Sequence, residues 1–148
     1  MSSEHIQLYL TTEQECSYLP NRMSGNIVPD PDMVMDMSIY SQLLKLGYRR
    51  SGDHVYRPHC TGCDECRPCR IPVNKFISKK SQRRCLKRNQ DLSLNMVKAS
   101  YTDEYFQLYS DYLNERHAEG GMANPVPDDF EHFLYSGWSN TYFIEVRI

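Results

Sequence analysis

The chain has 148 residues, of which 40% are hydrophobic and 24% are charged, and its formal net charge is −2. This length fits one ordinary domain or two small ones, and the composition excludes an intrinsically disordered chain. No run approaches the roughly 18 apolar residues of a membrane span, and the first ten residues lack the pattern of a secretory signal. We therefore expect a cytoplasmic protein with no membrane partner.

The first half of the chain predicts one strand, one helix and one hairpin. Apolar residues alternate over residues 5–10, as in a half-buried strand, and a loop-rich stretch follows. Helical spacing then begins after Asp36 or Ser38, either of which can cap a helix, and Gly47 suits the left-handed position beyond its end. Residues 48–57 are typical of a hairpin.

The second half predicts a basic helix over residues 78–89, followed by the order strand, helix, helix, strand. The first strand alternates over residues 92–96, and Thr102 can cap a long helix after it. A short helix begins near Pro127, and residues 141–148 are β-branched and aromatic as in a strand. The chain ends inside that strand and would leave an apolar edge exposed, so we expect it to be the N-terminal part of a longer protein.

The charge is distributed unevenly along the chain. Residues 47–100 carry 13 Lys and Arg but only 4 Asp and Glu, a local balance of +9, whereas the flanking residues together have a balance of −11. A basic segment inside an acidic chain favours a localised surface for a polyanion.

Cysteines are concentrated in one short loop. Cys60, Cys63, Cys66 and Cys69 follow one another at C-x2-C spacing, and such loops let thiolates reach one ion without strain. In a reducing compartment this pattern predicts either Zn²⁺ or an iron–sulfur cluster, although buried or idle thiols are the alternative. Cys16, beside an aromatic-proline turn, could supply the fourth thiolate in place of Cys69, and composition leaves that choice open.

The predicted basic helix carries its cations on one face. Several of them recur at spacings of three and four, and no acidic residue intervenes between residues 75 and 89. Such like charges repel unless a polyanion compensates them, so the stripe predicts contact with the phosphates of RNA or DNA. A merely solvated face is the alternative. The candidate nucleic-acid-binding residues are Lys79, Lys80, Arg83, Arg84, Lys87 and Arg88.

Several ordered motifs resemble those of one known family. They are Cys16-Ser-Tyr-Leu-Pro, Tyr48-Arg-Arg-Ser-Gly, Tyr56-Arg-Pro-His-Cys, the steps to Cys63 and Cys66, Arg70-Ile-Pro-Val and Ser81-Gln-Arg-Arg. Together they are similar to the aminoacyl-tRNA–protein transferases, and most similar to the bacterial aspartate/glutamate leucyltransferase branch, which is related to the eukaryotic arginyltransferases. The resemblance runs through nearly the whole chain.

The resemblance implies an α+β fold in two parts. A small cysteine-rich N-terminal region, residues 1–90, would be followed by the first half of a GNAT-like acyltransferase fold, residues 91–148. The family pattern has cysteines at Cys16, Cys60, Cys63 and Cys66, so these four are implied as the metal ligands.

The resemblance also implies the reaction. An amino acid would pass from aminoacyl-tRNA to the α-amino group of acceptor proteins with N-terminal Asp or Glu, which marks them for degradation through the N-degron pathway. Leucine follows from the bacterial branch, and arginine stays open. The basic stripe would hold the tRNA, and Arg49, Arg50 or Arg70 could pair with the acceptor carboxylate, although a structural role for each arginine is equally expected.

The sequence assigns no catalytic residue, because a tRNA ester is already activated and needs no covalent nucleophile. His117 is more simply explained as a partner of its helix's C-terminal dipole. Two other classes of protein also fit the motifs. One is a non-catalytic, metal-stabilised tRNA-binding module, and the other is an electron-transfer iron–sulfur protein.

Overall fold

The computed structural model describes residues 5–148, which form an α+β fold as predicted. The strands are β1 (Leu8–Leu10), β2 (Gln14–Glu15), β3 (Met23–Ser24), β4 (Asn26–Pro29), β5 (Arg49–Ser51), β6 (His54–Pro58), β7 (Ser93–Lys98) and β8 (Tyr142–Arg147). The helices are α1 (Met37–Lys45), α2 (Lys80–Arg88), α3 (Asp103–Arg116) and α4 (Pro127–Leu134), and a short 3-10 turn covers Val73–Lys75. No helix within this described part is both long enough and apolar enough to cross a bilayer.

The chain divides into two compact units. The first comprises residues up to 68 together with 101–139, and the second comprises residues 69–100 together with 140–148. This division places α3 and α4 in the first unit and β7 and β8 in the second. The expected domains 1–90 and 91–148 follow a different boundary and stay a prediction.

The first unit is built on a four-stranded antiparallel sheet in the order β1-β4-β6-β5. Side chains alternate between the two faces of a strand, so Val55 of β6 points to the opposite face from His54 and Tyr56. Val55 is 5% exposed and packs with Leu43 of α1 and with Tyr48. One face of the sheet therefore covers the hydrophobic core, and the other is free to line a site.

The predicted helix caps are confirmed. The Asp36 carboxylate accepts a hydrogen bond from the amide of Ile39 at 2.8 Å at the start of α1. The Thr102 hydroxyl accepts one from the amide of Tyr105 at 3.1 Å at the start of α3. Gly47 follows α1 with a φ of +87°, the left-handed conformation expected there.

The segment between β1 and α1 differs from the expected loop. Gln14 and Glu15 of β2 pair with Ser24 and Met23 of β3, and β4 joins the main sheet. These strands are two to four residues long, which is too short to show an alternation of apolar residues. In addition, β4 ends at Pro29, whose backbone has no N–H to donate to a neighbouring strand. The half-buried strand expected at residues 5–10 was wrong in part, because Ile6 packs against the core but Leu8 and Leu10 of β1 are 43% and 67% exposed.

Aromatic packing joins α3 and α4 within the first unit. The Phe130 side chain of α4 is 2% exposed. The Tyr109 ring of α3 meets the Phe130 ring edge-on at a centroid distance of 5.4 Å, and the Tyr101 ring does so at 5.9 Å. Edge-to-face contacts of this kind add to the stabilisation from burial.

The second unit contains an antiparallel ribbon of β7 and β8. Leu94 lies opposite Val146, and Met96 lies opposite Ile144. These four side chains share one face of the ribbon and are 58–74% exposed.

The predicted order strand, helix, helix, strand is confirmed by β7, α3, α4 and β8.

Candidate metal centre and nucleic-acid interface

The first cysteine lies at the start of the loop of a small hairpin. The loop between β2 and β3 begins with Cys16, whose amide donates a hydrogen bond to the carbonyl of Arg22 at 2.8 Å. Asn21 turns the chain with a φ of +56°, a conformation that asparagine tolerates better than most residues. The hairpin thus fixes the backbone position of Cys16.

The next two cysteines bracket a tight turn. The Cys63 amide donates to the Cys60 carbonyl at 3.3 Å, and Gly62 between them has a φ of +71°. A positive φ at the third position of a turn is the requirement of type II geometry, which explains why glycine stands there. The turn brings the two cysteine backbones side by side as a β-bridge.

Gly25 joins the hairpin to the cysteine loop. Its carbonyl accepts a hydrogen bond from the amide of His59 at 2.8 Å and lies 3.7 Å from the thiol of Cys60. A Cβ at Gly25 would stand 3.3 Å from the carbonyl oxygen of His59, closer than ordinary contact. The close approach of these two backbones therefore favours glycine at this position.

The four cysteines assigned from the resemblance line one cavity of about 780 Å³ in the first unit. Cys16 reaches it from the hairpin, and Cys60, Cys63 and Cys66 reach it from the cysteine loop. Within residues 5–148, no three His, Cys, Asp or Glu side chains are placed to hold a metal ion. The thiols thus face a common space without converging on one point.

One face of the main sheet forms another wall of this cavity. In the β5–β6 register, Arg49 lies opposite Tyr56 and Ser51 lies opposite His54, so these four side chains share a face. All four line the cavity. They are the residues that point away from Val55 and the hydrophobic core.

The three arginines predicted to bind the acceptor have different surroundings. Arg49 lines the cavity, and its guanidinium carbon lies 5.2 Å from the centroid of the Tyr56 ring. Arg50 donates to the carbonyls of Gly52 at 3.2 Å and Leu134 at 3.3 Å, which is a structural role. Arg70 is exposed and belongs to the second unit.

The charge of Arg50 also affects the pKa of a tyrosine in the first unit. Burial raises the pKa of the Tyr40 phenol, and the nearby Arg50 guanidinium partly opposes that rise. The Tyr40 ring packs edge-on against Trp138 at a centroid distance of 5.1 Å. The Arg50 guanidinium therefore lies near enough to Tyr40 to affect its ionisation.

The basic face predicted for the nucleic acid lies on α2. Lys80, Arg83, Arg84, Lys87 and Arg88 belong to this helix, and every one of them is exposed. The helix is shorter than the predicted span 78–89 and starts after Lys79, whose amide donates to the side chain of Gln82 at 2.8 Å.

The cations of α2 are available to an anionic ligand. The Arg83 guanidinium donates to the carbonyl of Ser78. Among the residues that the structure describes, no basic side chain of α2 forms an ion pair with a carboxylate. Phosphates can therefore contact this helix without first displacing a protein carboxylate.

Two of the remaining candidates have simple structural surroundings. The His117 amide donates to the carbonyl of Leu113 at 2.8 Å at the C-terminus of α3. The helix dipole favours a cationic side chain at this end of a helix. Cys69 is exposed and belongs to the second unit.

Sequence reasoning missed several residues that line the cavity. Arg22, His54 and Tyr56 all lie on its wall but were not assigned a role. The alternation of the hairpin could have identified His54 and Tyr56, since they share a strand face with Arg49. Arg22 lies in a loop whose path no periodicity predicts.

Comparison with known proteins agrees with the motifs. The family described as "Arginine-tRNA-protein transferase, N terminus" matches residues 14–84. The chain is 44% identical over 142 residues to an aspartate/glutamate leucyltransferase of Pseudomonas fluorescens, with 96% of this chain and 60% of that protein covered. It is 46% identical over 143 residues to the protein of that name from Nitrosococcus oceani, with 97% of this chain and 60% of that protein covered.

The chain spans about 60% of the length of these curated relatives. The matched region includes the cysteine hairpin, the cysteine loop and most of the basic segment. The chain is therefore similar to the aminoacyl-tRNA–protein transferases along nearly its whole length, as its motifs predict.

Proposed function

We propose that this protein transfers leucine from aminoacyl-tRNA to the α-amino group of proteins that begin with Asp or Glu. The observation that carries the proposal is the similarity, above 40% identity along nearly the whole chain, to proteins named aspartate/glutamate leucyltransferase. Under this proposal the modified proteins enter the N-degron pathway.

The reaction itself needs modest help from the protein. The neutral amine nitrogen attacks the ester carbonyl carbon of leucyl-tRNA, an amide bond forms, and the bond to the ribose oxygen breaks. The ribose oxygen leaves as a hydroxyl, and the amine loses a proton. An α-amine has a pKa of about 7.7–8.0, so a weak base or a water path can take that proton near neutral pH. Positioning of the two substrates is then the main task.

The basic face of α2 supports the tRNA part of the proposal. The exposed lysines and arginines of this nine-residue helix lie at spacings that follow a phosphate backbone. Contacts of this kind fix the position of a nucleic acid without reading its bases. In the proposal, α2 holds the acceptor stem of any leucyl-tRNA.

A metal centre is the second part of the proposal. Cys16, Cys60, Cys63 and Cys66 would be its ligands, and the support is that all four line one cavity at the junction of two loops. Thiolate ligands suit either Zn²⁺ or an iron–sulfur cluster, and the donor set alone does not separate them. When bound, the metal would cross-link the β2–β3 hairpin to the cysteine loop and stabilise both.

The third part of the proposal concerns the fold. A cysteine-rich N-terminal region would precede a GNAT-like domain that begins with β7, α3, α4 and β8. The exposed apolar face of the β7–β8 ribbon supports this assignment, because a layer packed on that face would bury it.

The experiment that tests the function uses leucyl-tRNA and a peptide with N-terminal Asp. We expect mass spectrometry to show one added leucine, and no addition to the same peptide with an acetylated amino terminus. A non-catalytic, metal-stabilised tRNA-binding module is the alternative, because the exposed cations of α2 and the cysteine-lined cavity fit it equally. Such a module would bind leucyl-tRNA and leave both peptides unmodified.

A further inference from the structure

Two arginines that line the cavity of the four cysteines have guanidinium groups without a polar partner among residues 5–148. Arg22 and Arg49 both line the cavity. Neither guanidinium forms a hydrogen bond or an ion pair with any other residue in the described part of the chain. By contrast, Arg57 donates to the carbonyl of Leu46 at 3.0 Å, and Arg67 pairs with Asp64 at 2.8 Å. The first two arginines are therefore the available donors in this unit's cavity.

Arg49 is also held in a defined orientation. It projects from a strand of the main sheet, and its guanidinium lies over the ring of Tyr56 on the neighbouring strand at 5.2 Å. A guanidinium stacked on an aromatic face keeps its N–H groups directed outward in the plane of the fork. That geometry matches a carboxylate, which can accept two parallel hydrogen bonds.

The cavity has the size and charge for one acidic residue. Its volume of about 780 Å³ falls in the usual range for small-ligand sites. Among its lining residues, Arg22 and Arg49 are cations with no ion-pair partner among the described residues. Arg67 is paired with Asp64, and Glu65 is the one carboxylate that lines the cavity. The cysteine thiols are assigned to the proposed metal, so Arg22 and Arg49 are the groups available to an anion.

We propose that this cavity binds the side-chain carboxylate of the acceptor's N-terminal Asp or Glu, with Arg49 as the main specificity-determining residue and Arg22 as a second cation. This inference rests on the proposed transferase function and names the residues that would select its acceptor. It excludes Arg50, whose guanidinium is already committed to two backbone carbonyls.

An acidic peptide fits the cavity better than an RNA phosphate does. The carboxylate of Glu65 lines the same space and would repel the neighbouring phosphates of a polyanion. A terminal Asp or Glu presents one carboxylate beside its α-amino group, whereas a nucleic acid carries a negative charge at every phosphate. The exposed cations of α2 offer the tRNA a separate docking face.

The test is peptide binding by the 148-residue chain, measured by isothermal titration calorimetry. Two peptides differ only in their first residue, Asp or Asn, so they share shape and differ in charge. We expect the wild-type chain to prefer the Asp peptide, and Arg49→Gln to lower its affinity about tenfold and bring it near that for Asn. Lys45→Gln, an exposed change in α1, is the matched control and should keep the preference.

A charge exchange makes the test independent of folding. Arg49→Glu should lose the Asp preference and favour a peptide that begins with Lys, which a merely unfolded variant would not do. Competition of a short tRNA acceptor-stem RNA for the same Arg49-dependent site would overturn the inference in favour of RNA. An unchanged Asp preference in Arg49→Gln would also overturn it. If transfer to Asp peptides persists in that case, the proposed function stands and only the subsite assignment fails.

Discussion

Replacing Gly52 with alanine should destabilise the first unit through a specific backbone contact. Gly52 forms the turn between β5 and β6, is buried, and has a φ of +56°. Its amide donates to the carbonyl of Phe133 at 2.9 Å. A Cβ at this position would overlap the carbonyl oxygen of His132 at the end of α4. The side chain can fit only if the hairpin and α4 separate.

The expected cost follows from these contacts. A left-handed alanine costs about 1–2 kcal/mol, and each lost hydrogen bond costs roughly 1 kcal/mol. Separation of the hairpin would break the bond from Gly52 to Phe133 and the bond from Arg50 to Leu134. Gly52→Ala should therefore lower the free energy of unfolding by about 3–4 kcal/mol.

Gly62→Ala is the matched control for this change. Gly62 has a φ of +71°, but a Cβ there would meet no heavy atom within 4 Å, so only the backbone strain applies. Urea unfolding followed by the fluorescence of Trp138, the single tryptophan, measures both variants at equal metal content. A loss of stability in Gly52→Ala no larger than that in Gly62→Ala would show that the turn does not press against α4.

Two further predictions concern the metal and the tRNA. In anaerobically purified protein, elemental analysis should show that Cys16→Ser loses the bound zinc or iron and Cys69→Ala retains it; the reverse result would mean that the loop of residues 60–69 holds the metal by itself. Changing four α2 cations to glutamate should weaken binding of every tRNA and flatten its salt dependence by about one power of salt concentration per lost contact, with Lys98→Glu as the control. Equal affinity and equal salt slope would exclude α2 as the docking face. The four changed cations are Lys80, Arg83, Arg84 and Lys87.

The sequence predicted the elements whose local chemistry is strong. Asp36 and Thr102 cap their helices because a side-chain oxygen beside the first turn satisfies a free amide. The β5–β6 turn follows from its glycine. The strands β2 and β3 were missed because two residues carry no periodicity, and their pairing depends on a loop whose path is set by tertiary contacts.

The candidate site was predicted in part. Spacing identified the cysteine loop, and only the family resemblance connected Cys16 to it. The structure gives a physical reason for that connection, since Gly25 bonds to His59 between the hairpin and the loop. Strand alternation in the predicted hairpin turns Arg49 and Arg50 to opposite faces. Which of the two faces lines the cavity and which meets the end of α4 depends on tertiary contacts, so the sequence could not choose between the two arginines.

The most direct measurement follows labelled leucine in a single turnover. Leucyl-tRNA, the chain in excess and a peptide with N-terminal Asp are mixed, and the label on peptide and as free leucine is measured over time. The proposed function predicts that label moves from tRNA to the peptide amino terminus faster than it is released by hydrolysis. Binding of leucyl-tRNA with label appearing only as free leucine, at the rate seen without protein, would contradict it.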